Sequence, residues 1–220
     1  IENVIIKPSM ADKGEKVRLL SVHQGVSTLD SLPIEKVFDI YERDFLIQDC
    51  VRQHAAMSML NPTSVNTLRI LTFRSGMDIL LVYAVVRIGR DKQVVDNQSA
   101  GGISVKIGAD GKLDQYAFGS VGDDQLTHTD SGVLLQGYQI PSYDRAVALV
   151  KQLHYSLPLF DLVGWDISID EFGDPVLIEW NGMTDLSQTA CGTGFGELTE
   201  RIITEIMPRE NSRRFDRIII

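Results

Sequence analysis

In VGWDISIDEFGDPVLIEWN, residues 163–181, two alternating runs flank a turn, and the alternation decides which side chains meet. An even-length loop around EFGD, with Asp170 opposite Pro175, sets Trp165 against Trp180, Ile167 against Ile178 and Ile169 against Val176 on one apolar face. The other face then carries Asp166 opposite Glu179, with Asn181 two residues on and Gly164 leaving space beside it. Two carboxylates with Cβ atoms roughly 4.5 to 5.5 Å apart repel by some tenths of a kcal/mol when solvated and more when buried. A cation between them reverses the sign. Two carboxylates and an amide carbonyl are oxygen ligands for a hard ion such as Mg²⁺, which keeps waters and completes its shell with substrate phosphates. The same residues also suit the wet face of an ordinary surface hairpin, and Asn181-Gly182 a plain turn.

Other side chains could share such chemistry. Arg69 lies in NTLRILT among Leu68, Ile70 and Leu71, where a guanidinium needs an anionic partner or a wet cleft. It would stabilise a transferring phosphate or an acyl-phosphate, or pair with a nearby carboxylate at a sheet edge. Arg87, closing VVRIG, would be the second prong of an anion clamp. DNQSAGG, residues 96–102, offers a carboxylate, an amide and two glycine N–H groups where a strand breaks, although such loops usually only turn the chain. His128 in LTHTD suits an exposed loop histidine, with a substrate or general-base role as the alternative. His154 falls on an apolar helix stripe and reads as core.

The elements that must hold these residues are mixed. NVIIKP is a strand stopped by Pro8, ADKGEK a polar loop, and Ile34, Val37, Phe38 and Tyr41 fall at helical spacing before the strand FLIQDCV. From residue 66 the pattern becomes antiparallel hairpins: NTLRILTF and MDILLVYAVVRIG about a turn at Arg74-Ser75-Gly76, then GISVKI and LDQYAFG. A helix follows, capped by Ser142 and ended by Pro158, with Tyr143, Ala146, Val147, Val150, Leu153, His154 and Leu157 as its stripe. GELTERIITEIMP is the last helix. The reading is an α+β fold with one boundary near residues 52–66.

With 220 residues the chain buries a real core, as one domain or two small ones. A net charge of -9 opposes a nucleic-acid footprint, which needs clustered Lys and Arg. The two cysteines, Cys50 and Cys191, form no CxxC motif, so a reducing cytoplasm is the default and no disulfide framework is expected. ILLVYAVV, 79–86, is too short to cross a bilayer. The chain opens without Met directly into a strand, as expected of a domain cut from a longer protein. No Ser-His-Asp elbow, GxGxxG or GxxxxGK[ST] loop occurs, which leaves hydrolase, Rossmann and P-loop readings without support.

DxxxDxxGxPxLIExN, with IIKP at the start and FLIQDCV before the sheet, resembles the ATP-grasp superfamily. SVNTLRILT, VVDNQSAGGISVKIGADG, GYQIP and the 163–181 hairpin are similar, more narrowly, to the sugar-transfer associated ATP-grasp family, linked to polysaccharide and cell-envelope biosynthesis. The resemblance implies two α+β subdomains gripping ATP, residues 1–52 as the nucleotide-gripping part and 53–220 as the antiparallel-sheet part with the metal hairpin. It assigns phosphate or adenine contact to Lys7 and the adenine-edge hinge to Gln48, Asp49, Cys50 and Val51. Its metal ligands fall on Asp166, Glu179 and Asn181, the three residues that the hairpin ladder selects. The family pattern lays 96–102 over the active site, making Asp96, Asn97 and Gly102 candidates for substrate contact, beside His128.

The implied reaction is phosphoryl transfer from ATP to a small-molecule carboxylate, with one or two Mg²⁺ ions. The acyl-phosphate is then attacked by an amine, or secondarily a hydroxyl, of an acceptor that can be sugar-linked. Three departures set rival expectations. The phosphate loop ADKGEK has Gly14 alone, Gln48 stands where an acidic residue is common, and the α/β region that normally precedes an ATP-grasp fold is not in this sequence. The first and the last favour a nucleotide-binding module without turnover, Gln48 bears only on the adenine contact, and a second rival is a scaffold domain of a polysaccharide-assembly system with its carboxylates merely solvated.

Overall fold

The structure is a computed structural model that describes residues 3–9, 16–24, 26–27, 32–41, 44–90, 101–119, 125–184, 188–192 and 194–206. The chain forms two compact units, Ile1–Arg52 and Gln53–Ile220. Among the described residues, no helix is long and apolar enough to cross a membrane.

In the first unit, β1 (Asn3–Pro8), β2 (Arg18–His23), β3 (Val26–Ser27) and β4 (Phe45–Asp49) form an antiparallel sheet in the order β3-β2-β1-β4. Alternation places Val4, Ile6, Leu20 and Val22 on one face, where they pack with Val37 and Tyr41 of the α1 segment (α1, Ile34–Ile40) and with Phe38 stacked on Phe45. The other face carries Ile5, Lys7, Leu46 and Gln48, because Ile5 pairs with Gln48 and Lys7 with Leu46.

The second unit is built on a six-stranded antiparallel sheet. Its strands are β5 (Thr67–Ser75), β6 (Asp78–Ile88), β7 (Ile103–Ile107), β8 (Leu113–Phe118), β9 (Leu162–Ile169) and β10 (Pro175–Asn181), in the order β10-β9-β5-β6-β7-β8. β9 and β5 are nearly continuous buried runs, as befits strands covered on both faces. On one face Leu68, Ile70, Ala84, Val86, Val105, Trp165 and Ile167 form the main core with Met57 and Leu60 of α2 (Ala55–Leu60) and Tyr143, Ala146 and Val150 of α3 (Tyr143–Tyr155). The stripe expected on 143–157 is the buried face of α3. The helix itself stops at Tyr155, short of Pro158, and Ser142 stands at its N-cap in the left-handed region (φ 52°) without a side-chain cap bond, so the expected hydroxyl cap is absent.

Two buried polar groups of residues lock this core. Gln53, Asn61, Ser64 and Asn66 satisfy one another: the Asn66 amide donates to the Met57 and Asn61 carbonyls at 2.8 Å, and the Gln53 amide to Ser64 O at 2.7 Å. Part of the NPTSVNT run is therefore an internal plug ahead of β5. The second group is a relay. Trp165 Nε1–H donates to Thr72 Oγ1 at 2.7 Å, and Thr72 Oγ1 faces His154 Nδ1 at 2.8 Å. His154 Nε2 lies 3.0 Å from Phe160 O; a carbonyl only accepts, so Nε2 carries the proton and Nδ1 accepts from Thr72.

Burial is the main cause holding the His154 pKa below 6.5, the nearby Arg74 guanidinium adds to it, and the Phe160 carbonyl and Asp161 oppose it. The unfolded chain therefore takes up the proton first as pH falls. The stabilisation is present above 6.5 and is lost as pH falls toward the lowered folded value, at up to about 1.4 kcal/mol per pH unit. Urea unfolding at pH 7.5 and 5.5 should show this loss in the wild type, and His154→Gln should remove that share of the pH slope.

The 163–181 hairpin departs from the expected register at its turn. Glu171-Phe172-Gly173 is a three-residue loop, with Gly173 at φ 84° and Asp170 N donating to Asp174 O at 2.9 Å. Ile169 therefore pairs with Pro175 and Ile167 with Leu177, not with Val176 and Ile178. A β-bulge between Leu177 and Glu179 inserts Ile178 as an extra residue, and beyond it Asp166 faces Glu179, Trp165 faces Trp180 and Gly164 faces Asn181. The apolar face is also less uniform than expected: Trp165 is buried, whereas Trp180, on the edge strand, is 40% exposed and meets Phe160 edge to face.

Candidate functional site

The second face of the large sheet is ruled by register. Glu179 pairs with Asp166, Asp166 with Arg69, Arg69 with Val85, and Val85 with Lys106, one cross-strand row over five strands. The neighbouring row holds Thr67, Arg87, Ser104 and Phe118; the row on the other side holds Asn181, Gly164, Leu71 and Tyr83. Leu71, Tyr83 and Val85 form a small apolar cluster there with Ala190 and Cys191 of α4 (Gln188–Cys191). Burial pushes the Cys191 thiol up to about 12, with Lys106 pulling the other way, in keeping with its packing against this cluster.

At the centre, Arg69 Nε and Nη2 donate to Asp166 Oδ1 and Oδ2 at 2.6 and 2.9 Å, a bidentate fork. Arg87 Nη2 lies 3.3 Å from the same Oδ1, and Arg69 Nη1 donates to Thr184 Oγ1 at 3.0 Å. Asp166 is 3% and Arg69 8% exposed. Two guanidiniums thus offset the charge of Asp166, and with Glu179 the four groups sum to zero. Of the two readings of Arg69, the structure shows the pairing with a carboxylate, joined by a hydroxyl; its partner lies on the interior strand β9 and not at a sheet edge.

Do the donors fit a hard cation? Asp166 accepts two N–H bonds from Arg69 and lies 3.3 Å from Arg87 Nη2, fewer than the about four bonds that a carboxylate can accept with its lone pairs. Glu179 stands opposite on the edge strand. Asn181 Nδ2 is buried and has no hydrogen-bond partner. Turning that amide over puts its carbonyl oxygen in the same place, an acceptor without a donor, which is the arrangement of a cation ligand. Two carboxylates and this amide fit Mg²⁺, although no three His, Cys, Asp or Glu side chains converge among the described residues.

The other expected residues are placed separately. Lys7 and Gln48 share the face of the small sheet away from α1, whereas Asp49 pairs with Val4 and points to the α1 side; Cys50 and Val51 are half-buried past the strand end. Burial, and then Asp49, raise the Cys50 pKa. Gly102 is buried immediately before β7. His128 is exposed, its Nδ1 3.0 Å from Thr127 Oγ1. Asp96 and Asn97 lie outside the described residues. Two residues on this face were missed from sequence. Lys106, exposed, was signalled by a lysine alternating with Ser104 inside an apolar strand. Thr184, beyond the hairpin, gave no sequence signal.

A family model for ATP-grasp proteins matches residues 2–203, which sets the class of this chain. Its particular family is the sugar-transfer associated ATP-grasp family, to which the chain belongs. Among solved structures, the chain is similar to an L-amino acid ligase from Bacillus licheniformis, at 12% identity and a TM-score of 0.49, over 92% of this chain and 41% of that one. The chain thus spans less than half the length of that ligase chain. No curated protein matches the sequence.

Proposed function

We propose that this chain binds ATP with Mg²⁺ and activates a small-molecule carboxylate, in polysaccharide or cell-envelope biosynthesis. The observation that carries the reading is the row Glu179–Asp166–Arg69, with the orphaned Asn181 amide on the same face. Asp166, Glu179 and Asn181 would hold the metal, which when bound offsets charge on the phosphate oxygens. Arg87 and Lys106 would add positive charge on the same face, with Arg69 acting mainly through Asp166. Lys7 and the stretch Gln48, Asp49, Cys50 and Val51 would contact the nucleotide. Asp96, Asn97, Gly102 and His128 would face the substrate.

In the first step a substrate carboxylate oxygen attacks the γ-phosphorus and ADP leaves. In the second, an amine, or secondarily a hydroxyl, attacks the acyl carbon, phosphate leaves, and the nucleophile loses its proton. No side chain need bond covalently, since positioning and charge compensation supply most of the acceleration.

Calorimetry with a non-hydrolysable ATP analogue and Mg²⁺ tests the reading, together with ADP release over a panel of carboxylates. At about a hundred times its dissociation constant the ligand should raise stability by roughly 2.7 kcal/mol, and only with the metal. A second reading, a nucleotide-binding module without turnover, draws on the self-neutralised Asp166 cluster; binding without ADP under every acceptor supports it. Absence of any Mg²⁺-dependent stabilisation would discard both.

A further inference from the structure

We propose that Thr184 is a positioning residue that fixes the guanidinium of Arg69, and that Gly164 and Gly182 are glycines because that seat requires it. The catalytic part of this inference rests on the ligase reading above; the structural part does not. Asp166 holds the Nε–Nη2 edge of Arg69, which leaves Nη1 projecting away from the carboxylate. Thr184 Oγ1 accepts from Nη1 at 3.0 Å, so the guanidinium is held from two sides and its remaining N–H groups have set directions.

The chain reaches this seat by an approach that excludes side chains. After Asn181 it passes Phe160, and a Cβ at Gly182 would lie 2.7 Å from Phe160 Cδ1. It then lays Thr184 on Gly164, where a Cβ would meet the Thr184 hydroxyl and come within 2.8 Å of Thr184 Cβ. Gly164 is the cross-strand partner of Asn181, and Thr184 follows Asn181 by three residues. The end of the metal hairpin and the guanidinium of Arg69 are therefore tied by one short turn. Contacts that move Asn181 are passed to Arg69 through Thr184.

The full chain supports a test that needs no substrate. In spectra of the ¹⁵N-labelled arginine side chains, with Arg69 assigned by Arg69→Lys, the wild type should give separate signals for the two Hη1 protons, because the Thr184 bond hinders rotation about Cζ–Nη1 while the Asp166 fork holds Nε–Cζ. Thr184→Val should average them and Thr184→Ser should restore them. In ADP release, Thr184→Val should lower kcat roughly tenfold with the KM for ATP nearly unchanged, the loss of one charge-assisted hydrogen bond, and Thr184→Ser should recover most of it.

Gly164→Ala should reproduce the Thr184→Val phenotype by unseating the hydroxyl, and Gly164→Ala with Thr184→Gly, which removes both the hydroxyl and the Cβ that an added methyl would meet, should be no worse than Thr184→Gly alone. Melting curves confirm that each variant is folded. The inference is overturned if the two Hη1 protons stay resolved in Thr184→Val, if serine behaves as valine, or if the losses at 164 and 184 multiply. A wild type that releases no ADP removes the ligase reading, while the arginine spectra still decide the seat.

Discussion

Asp166→Asn unfolds in less urea than the wild type, by about 3 kcal/mol or more, and neither binds Mg²⁺-ATP nor releases ADP. The size follows from what is left behind. Arg69 and Arg87 have side chains only 10% and 14% exposed, and both lose the charge of Asp166 at once. An asparagine accepts at one oxygen where the carboxylate accepts the fork of Arg69 at two. Most of the loss is the penalty of a desolvated, unpaired cation, so adding Arg69→Met should recover part of the stability but none of the binding. Equal urea midpoints for Asp166→Asn and the wild type would mean that the cluster is solvated and the row is surface decoration.

Glu179→Gln behaves in the opposite way. Glu179 is exposed on edge strand β10 and is isosterically replaced, so unfolding should shift by no more than about 0.5 kcal/mol. The cross-strand repulsion with Asp166 is relieved at the same stroke. Turnover should nevertheless fall at least roughly a hundredfold, because one of two anionic ligands is gone where charge develops on the phosphates. Wild-type-like ADP release in this variant would discard the metal assignment. The pair of results separates a carboxylate that the fold needs from one that only the chemistry needs.

How much of this could be read before the fold was known differs by residue. The facing of Asp166 and Glu179 was reached from the sequence through a four-residue loop that the structure does not have; the turn is one residue shorter, and the bulge at Ile178 restores the pairing. His154 was legible as core from its place on a helical stripe. The loop length was not, because EFGD satisfies a three-residue or a four-residue turn equally well, and Gly173 decides for the shorter one only through its positive φ. The insertion of β5 between β9 and β6 was beyond reach, since Leu68 and Ile167 meet across about a hundred residues and no local pattern encodes that choice. The partner of Arg69 depended on it: an isolated strand indicates that the guanidinium needs an anion, not which one. Thr184 left no trace because its role is defined by what Gly164 lacks.

Ile178 gives the hairpin one property that its individual contacts do not. An odd turn alone would send Glu179 to the side of Trp165, among the helices; the single supernumerary residue in β10 cancels that error halfway along the ribbon. Two offsets of one residue compensate, so the aim of the acidic pair is insulated from the chemistry of the tip, where Phe172 is 82% exposed. Residues 171 and 172 are thereby free to drift in identity, Gly173 being held by its positive φ, while any change in length on either side of Ile178 must be answered by another.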